Sequence, residues 1–216
     1  MSKSTFFLTG IGTEIGKTLV SAILVKALKM DYWKPVQSGE LEHTDTDKVR
    51  DLVQWKELKT HTERYRLEIP ASPHYSAAAE GKKIELDQLV IPETDNNLLI
   101  EGAGGLMVPL NEEELYIDWA AAKKLPVILV SRNYLGSINH TILSIEALRA
   151  RGLNEIYLLF NGPSTPSTEN FILNYSQLAC LGRVEQAEGA VDAAFVAKEA
   201  RRLKTNFEKI LKKQGR

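Results

Sequence analysis

The sequence predicts an α/β fold in one domain: a doubly wound, mostly parallel central sheet flanked by helices on both faces. Three observations predict it. Short, continuously apolar runs recur at residues 5–9, 98–101, 127–131 and 156–160, the pattern of strands buried on both faces. Stretches with apolar residues at helical spacing separate them, clearest at 16–30 and 137–151. The chain has 216 residues, and no segment is rich enough in Pro, Gly or Ser to mark a boundary, so residues 1–216 read as a single domain.

Taken in order, residues 5–9 are apolar and β-branched and stop at Gly10, as a buried strand does. Leu19, Val20, Ile23, Leu24, Ala27 and Leu28 place one face of a helix over 16–30. A second strand is expected over 32–36, ending near Pro35. Residues 44–53 are expected to be helical, with Val49, Leu52 and Val53 on one face. The stretch 55–80 is less regular; it contains Pro70 and Pro73 and ends in an alanine-rich helical turn at 76–80. The strand at 98–101 follows a turn-like Asp95-Asn96-Asn97. The helix over 137–151 ends at Gly152, a C-cap glycine. A last helix is expected over 191–213. Leu203, Phe207, Ile210 and Leu211 form its stripe, and Lys198, Arg201, Arg202, Lys204, Lys209, Lys212 and Lys213 fill the other face. A basic amphipathic helix suits a membrane surface; the reading adopted is a terminal helix docked on the sheet with a solvated outer face.

Composition excludes several classes. With 27 basic and 28 acidic residues the net charge is −1, against the basic excess of a dedicated nucleic-acid binder. The single cysteine, Cys180, allows no intrachain disulfide, and the four scattered histidines offer no zinc-ligand spacing. No apolar stretch approaches the about 20 residues that cross a bilayer. Phe6-Phe7-Leu8 is too short for a signal-peptide core, so a cytoplasmic location is expected.

The strongest chemical signal is Gly10-Ile11-Gly12-Thr13-Glu14-Ile15-Gly16-Lys17-Thr18, between a predicted strand and a predicted helix. That is the context of a phosphate-binding loop: curled backbone N–H groups and a helix N-terminus facing phosphate. In this reading Lys17 bridges the β- and γ-phosphates and Thr18 ligates Mg²⁺. Nucleotide contacts are expected at Gly12, Glu14, Ile15, Gly16, Lys17, Thr18 and Leu19. The usual spacing puts a glycine at position 11; here that residue is Ile11 and the glycine comes one earlier. An acidic partner for the metal is expected at a nearby strand end. Glu101 stands there, followed by Gly102-Ala103-Gly104-Gly105, whose small residues let a nucleotide approach. Lys34, in Trp33-Lys34-Pro35-Val36-Gln37-Ser38-Gly39, sits at the carboxyl end of the second strand, where open α/β sheets bind ligands. The fold expected is that of a P-loop NTPase.

These residues resemble the dethiobiotin synthetase family. The resemblance lies in the loop 10–18, in Lys34-Pro35-Val36-Gln37-Ser38-Gly39, in Ser72-Pro73-His74 with Glu80-Gly81, in Glu101–Gly105 and in Gly136-Ser137-Ile138-Asn139-His140, in order over about residues 5–187. It implies ATP- and Mg²⁺-dependent carboxylation and ring closure of 7,8-diaminononanoate with CO₂. It implies catalytic roles for Lys34, Lys17 and Thr13, and Thr18, Glu101 and an aspartate at the head of the 44–53 helix as metal ligands. Of Asp45 and Asp47, Asp45 has the family's spacing to Val49 and Leu52. Gly102, Ala103 and Gly104 are expected near the nucleotide, with Asn161, Gly162 and Glu185 at its base. Gly162 replaces a residue that is often acidic, and Val184-Glu185-Gln186 stands where a proline-containing loop is usual. Thr13, Lys34 and Ser38 are expected at the substrate, with Gly136, Ser137, Ile138 and Asn139 of a neighbouring subunit at its tail carboxylate. The resemblance therefore implies a homodimer with sites at the interface; read simply, Ser137 would only cap its helix. Two rivals are other P-loop amide ligases, such as the cobyrinic acid diamide synthases with their added glutaminase domain, and partitioning or septum-placing ATPases, which carry a lysine at the position of Gly12.

Overall fold

A computed structural model describes residues 3–211. Seven parallel strands form the main sheet in the order β4-β2-β6-β1-β7-β8-β9. They are β1 (Thr5–Gly10), β2 (Asp31–Trp33), β4 (Thr60–His61), β6 (Leu98–Glu101), β7 (Val127–Arg132), β8 (Ile156–Asn161) and β9 (Ala179–Val184). A separate pair joins β3 (Val36–Ser38) to β5 (Tyr65–Leu67). The helices are α1 (Lys17–Leu28), α2 (Asp45–Val53), α3 (Pro73–Ala79), α4 (Tyr116–Ala122), α5 (Ser137–Ala150), α6 (Pro166–Ser176) and α7 (Ala193–Leu211).

Alternation along the strands builds a core on each face. Phe7, Leu98, Ile100, Val127 and Leu129 pack with Trp33, Tyr116 and Trp119 on one side. Phe6, Leu8, Leu99, Ile128 and Val130 pack against α1 and α7 on the other. This two-sided burial is why the strands read as continuous apolar runs. The last helix is docked: Val196, Ala200, Leu203, Phe207 and Leu211 are buried against the sheet face that α1 also covers, while Ile210 is partly buried. Lys212 and Lys213 of the predicted helix lie outside the described residues.

One predicted strand is corrected. Residues 32–36 do not run as one strand; the chain leaves the main sheet at Lys34-Pro35 and β3 pairs elsewhere. Pro35 has no N–H for a ladder, and its carbonyl instead accepts from the N–H groups of Arg64 (2.8 Å) and Tyr65 (3.0 Å). The break matters, because it puts Lys34 at the carboxyl edge of the sheet. Gly152 takes the positive φ of 76° expected of the residue closing α5.

Candidate active site

β1 and β6 lie side by side, so the phosphate loop after β1 and Glu101 at the end of β6 are neighbours. Leu106 N–H donates to Gly10 O at 3.1 Å, and a Cβ on Gly105 would lie 3.3 Å from Gly12 Cα, so the two loops touch. Within the loop Glu14 has φ 57° and Gly16 φ 87°. Gly16 is the N-cap of α1 and brings no side-chain cap, which leaves the helix N–H groups to a ligand.

Glu101 is fully buried and accepts four hydrogen bonds: Thr18 Oγ1 (3.0 Å), Ser21 Oγ (2.6 Å), Tyr32 OH (2.9 Å) and Lys34 Nζ (3.2 Å). A buried carboxylate demands such a set. Ser21 and Tyr32 were not among the expected site residues. The available signal was Ser21 itself, a polar residue on the apolar face of α1, one turn after Lys17. Removing its hydroxyl leaves the carboxylate short of a charge-assisted donor. Ser21→Ala is expected to cost about 1.5–3 kcal/mol, read from urea unfolding.

Lys34 is buried and also bonds Asp45, the first residue of α2. Burial pulls the Lys34 ammonium down, but the carboxylates of Glu101 and Asp45 outweigh it and hold the group above its ordinary range. Burial pushes Asp45 up, and Lys34 with Lys48 overrides this to hold it below the usual carboxylate range. Asp47 is turned away. Its carboxylate accepts from Thr44 N–H (3.0 Å) and Thr44 Oγ1 (2.8 Å), while its own N–H donates to Thr44 Oγ1 (3.2 Å), a capping box. Capping chemistry thus separates the two aspartates. Lys17 is buried and its Nζ donates to Gly12 O at 3.3 Å. Burial lowers its pKa to about 8, with the Lys34 charge pulling the same way and Glu101 opposing.

These groups line one cleft of about 570 Å³ with Thr13, Thr18 and Ser38. Its far wall is Pro70, Ala71, Ser72 and Pro73, against which Gly39 packs. The Ser38 hydroxyl is buried without a partner among the described residues, leaving it for a ligand. Thr18, Asp45 and Glu101 offer one hydroxyl and two carboxylates, hard oxygen donors that fit Mg²⁺. No group of three or more His, Cys, Asp or Glu side chains suited to a metal occurs among the described residues. A two-carboxylate set suits a cation that keeps water and phosphate oxygens as its other ligands.

The residues expected at the nucleotide base are placed differently. Asn161 donates from Nδ2 to Ile15 O at 2.7 Å and braces the phosphate loop next to Gly16. Gly162 donates its N–H to Val184 O at 2.9 Å. Glu185 is exposed at the end of β9, and its N–H bonds Glu199 of α7 (3.0 Å). Gly136, Ile138 and Asn139 do not line the cleft. They line a separate groove of about 830 Å³ with Tyr134, Leu135 and Leu143. Ser137 is buried and does not cap α5; the N-cap is Gly136 at φ 100°, again without a side-chain cap.

A strand, a curled loop ending in Lys17-Thr18, a helix and a carboxylate on the adjacent strand define the P-loop nucleotide-binding class. A family model described as an AAA domain matches residues 4–194. Solved structures agree on the fold alone. A plasmid partition protein from Borrelia burgdorferi bound to AMPPNP has a TM-score of 0.60 at 12% identity, covering 98% of this chain and 100% of that one. A ParA family ATPase from Chlorobium tepidum has 0.57 at 13%, covering 98% and 94%. Sequence relatives are more specific. The ATP-dependent dethiobiotin synthetase of Christiangramia forsetii is 50% identical over 86% of this chain and 89% of its own length. That of Rhodopseudomonas palustris is 46% identical over 83% and 86%, and that of Cytophaga hutchinsonii 45% over 85% and 89%. The chain belongs to the ATP-dependent dethiobiotin synthetase family.

Proposed function

We propose that this chain is a cytoplasmic, single-domain ligase of biotin biosynthesis. It uses ATP and CO₂ to convert 7,8-diaminononanoate to dethiobiotin, with ADP and phosphate as the other products. The observation that carries this reading is a pair of buried lysines, Lys17 and Lys34, facing one cleft beside the phosphate loop. In the reaction one substrate amine takes up CO₂ as a carbamate, losing a proton. A carbamate oxygen then attacks the γ-phosphorus, and the bond to the ADP oxygen breaks. The second amine attacks the carbonyl carbon of the mixed anhydride, expels phosphate and closes the cyclic urea. The obstacle is charge, since an anion must approach a polyanion.

Lys17 would reach the transferring phosphoryl group and Lys34 would screen both the carbamate and that group, so positive charge is fixed before reaction. The hydroxyls of Thr13 and Ser38 orient the carbamate and the free amine. Thr18, Asp45 and Glu101 would hold Mg²⁺, which neutralises phosphate charge. No helix among the described residues is long and apolar enough to cross a membrane.

The groove at the start of α5 is the proposed homodimer face. Leu135 is 103% exposed there, with Leu143 and Tyr134 exposed beside it. A second copy on this face would place its free α5 N-terminus at the substrate's tail carboxylate. Leu135→Asp is expected to convert dimer to monomer in sedimentation experiments and to raise the diamine KM without weakening ATP binding.

The test of the function is phosphate release from MgATP and bicarbonate with and without 7,8-diaminononanoate, with product mass followed. Diamine-dependent release with a cyclic-urea product supports the reading. Turnover indifferent to the diamine overturns it in favour of a partition-type ATPase.

A further inference from the structure

Away from the phosphates, one buried ion pair that no step above uses joins two loops. Glu169, on the first turn of α6, is 8% exposed. It accepts from Asn133 Nδ2 (2.5 Å), from Thr165 N–H (2.9 Å) and from the guanidinium of Arg183 on β9. Arg183 in turn donates to Gly162 O (3.2 Å) and lies over the Phe160 ring, 5.7 Å from its centroid. Asn133 also donates to Pro163 O (3.0 Å), while its Oδ1 is buried without a partner among the described residues. Both neighbours of Nδ2, Glu169 and the Pro163 carbonyl, are acceptors, so together they give the amide one orientation.

We propose that Glu169 is a positioning residue that locks the base segment Asn161-Gly162 and the loop leading to Gly136 into one arrangement through Arg183 and Asn133. The inference rests on the functional reading above, and on the family resemblance that implies the nucleotide base at the first segment and the substrate tail at the second. The strands make the link short. Arg132 pairs with Asn161, and Asn161 with Val184, so the ends of β7, β8 and β9 lie side by side. A buried ion pair is a poor source of stability, because apolar replacements of both partners are often neutral. What it supplies here is direction: four donated hydrogen bonds, from Asn133 and Arg183, with fixed ends on two loops.

The test separates position from mere structure. Calorimetry with Mg-ADP and Mg-CDP measures base recognition without turnover, and steady-state kinetics gives KM and kcat for the diamine. Glu169→Gln is expected to weaken ADP binding about tenfold, narrow the preference for ADP over CDP, and leave kcat within about twofold. Asn133→Ala is expected to raise the diamine KM while leaving the ADP Kd unchanged. The double variant Glu169→Gln with Arg183→Met removes both charges and guards against misfolding of the single one. It is expected to fold with wild-type stability and still bind ADP weakly. Restored ADP affinity in the double variant would reduce the pair to a structural role. ADP affinity, base preference and diamine KM all within twofold of wild type in Glu169→Gln would overturn the proposal. A wild type without diamine-dependent turnover would instead sink the functional reading, and the ADP and CDP titrations would still test the lock.

Discussion

Lys34→Gln is expected to lower kcat by about 10²–10³-fold, the usual cost of removing a fixed donor from developing charge. The same substitution is expected to destabilise the metal-free protein by about 3–5 kcal/mol, since it leaves the buried Glu101 carboxylate without its cation. The geometry ties the two effects together. Lys34 is the group that neutralises Asp45 and Glu101 at once, and Glu101 has no exposure to water. Glutamine can still donate one hydrogen bond, but it carries no charge. Those two carboxylates, with Thr18, are also the oxygens assigned to Mg²⁺. On that assignment Lys34 and the metal would neutralise the same pair. It follows that Mg²⁺ should raise the melting temperature of the glutamine variant by more than it raises that of wild type. Thermal unfolding in EDTA and in Mg²⁺, without nucleotide, reads this apart from activity. Equal shifts in the two proteins would mean that the metal uses other oxygens. A variant with wild-type kcat would remove Lys34 from the chemistry.

Much of this site was legible in the sequence because its parts are local. A continuous apolar strand followed by glycines and Lys17-Thr18 needs no distant information, and Glu101 ends another such strand. The sequence puts Lys34 at a strand end, but the strand that it predicts over 32–36 is too long. Pro35 reads as a stop just inside that strand, whereas the ladder already fails one residue earlier, at Lys34. The donors Ser21 and Tyr32 were not legible. Tyr32 reaches Glu101 only because β2 pairs with β6, a neighbour relation that no local pattern states. Strand β9 escaped for a different reason. Ala179-Cys180-Leu181-Gly182-Arg183-Val184 interrupts its apolar residues with Gly182 and Arg183, as an edge strand can, and its pairing slips where Leu158 gives way to Leu159. Spacing prefers Asp45 to Asp47 as the metal ligand, and what no spacing states is that Asp47 is engaged in a capping box with Thr44. Asn161 shows the opposite limit. The sequence puts it just past a strand at 156–160, whereas it is the last residue of β8, and no local pattern states that one of its amide N–H groups holds Ile15 O.

That brace makes Gly16→Ala the second large effect, an expected loss of about 10²-fold or more in ATP affinity, which corresponds to about 2.7 kcal/mol. Two costs add. Gly16 has φ 87°, a left-handed conformation that costs a residue with a Cβ about 1–2 kcal/mol. The new Cβ would also stand 2.1 Å from Asn161 Nδ2, so either the loop or the amide must move. If the amide moves, Ile15 O loses its donor and the phosphate loop loses its brace to β8. If the loop moves, the N–H groups at the start of α1 no longer converge on phosphate. The control is Gly12→Ala. Gly12 has no positive φ, and a Cβ there meets nothing within 4 Å, so the free protein tolerates it. Calorimetric titration of both variants with Mg-ADP then divides the loop's work. A Gly12 variant near wild type with a Gly16 variant that does not bind would place the requirement in backbone conformation. Equal losses would place it in the closeness of the phosphates to the loop, because Gly12 can fail only through contact with the ligand.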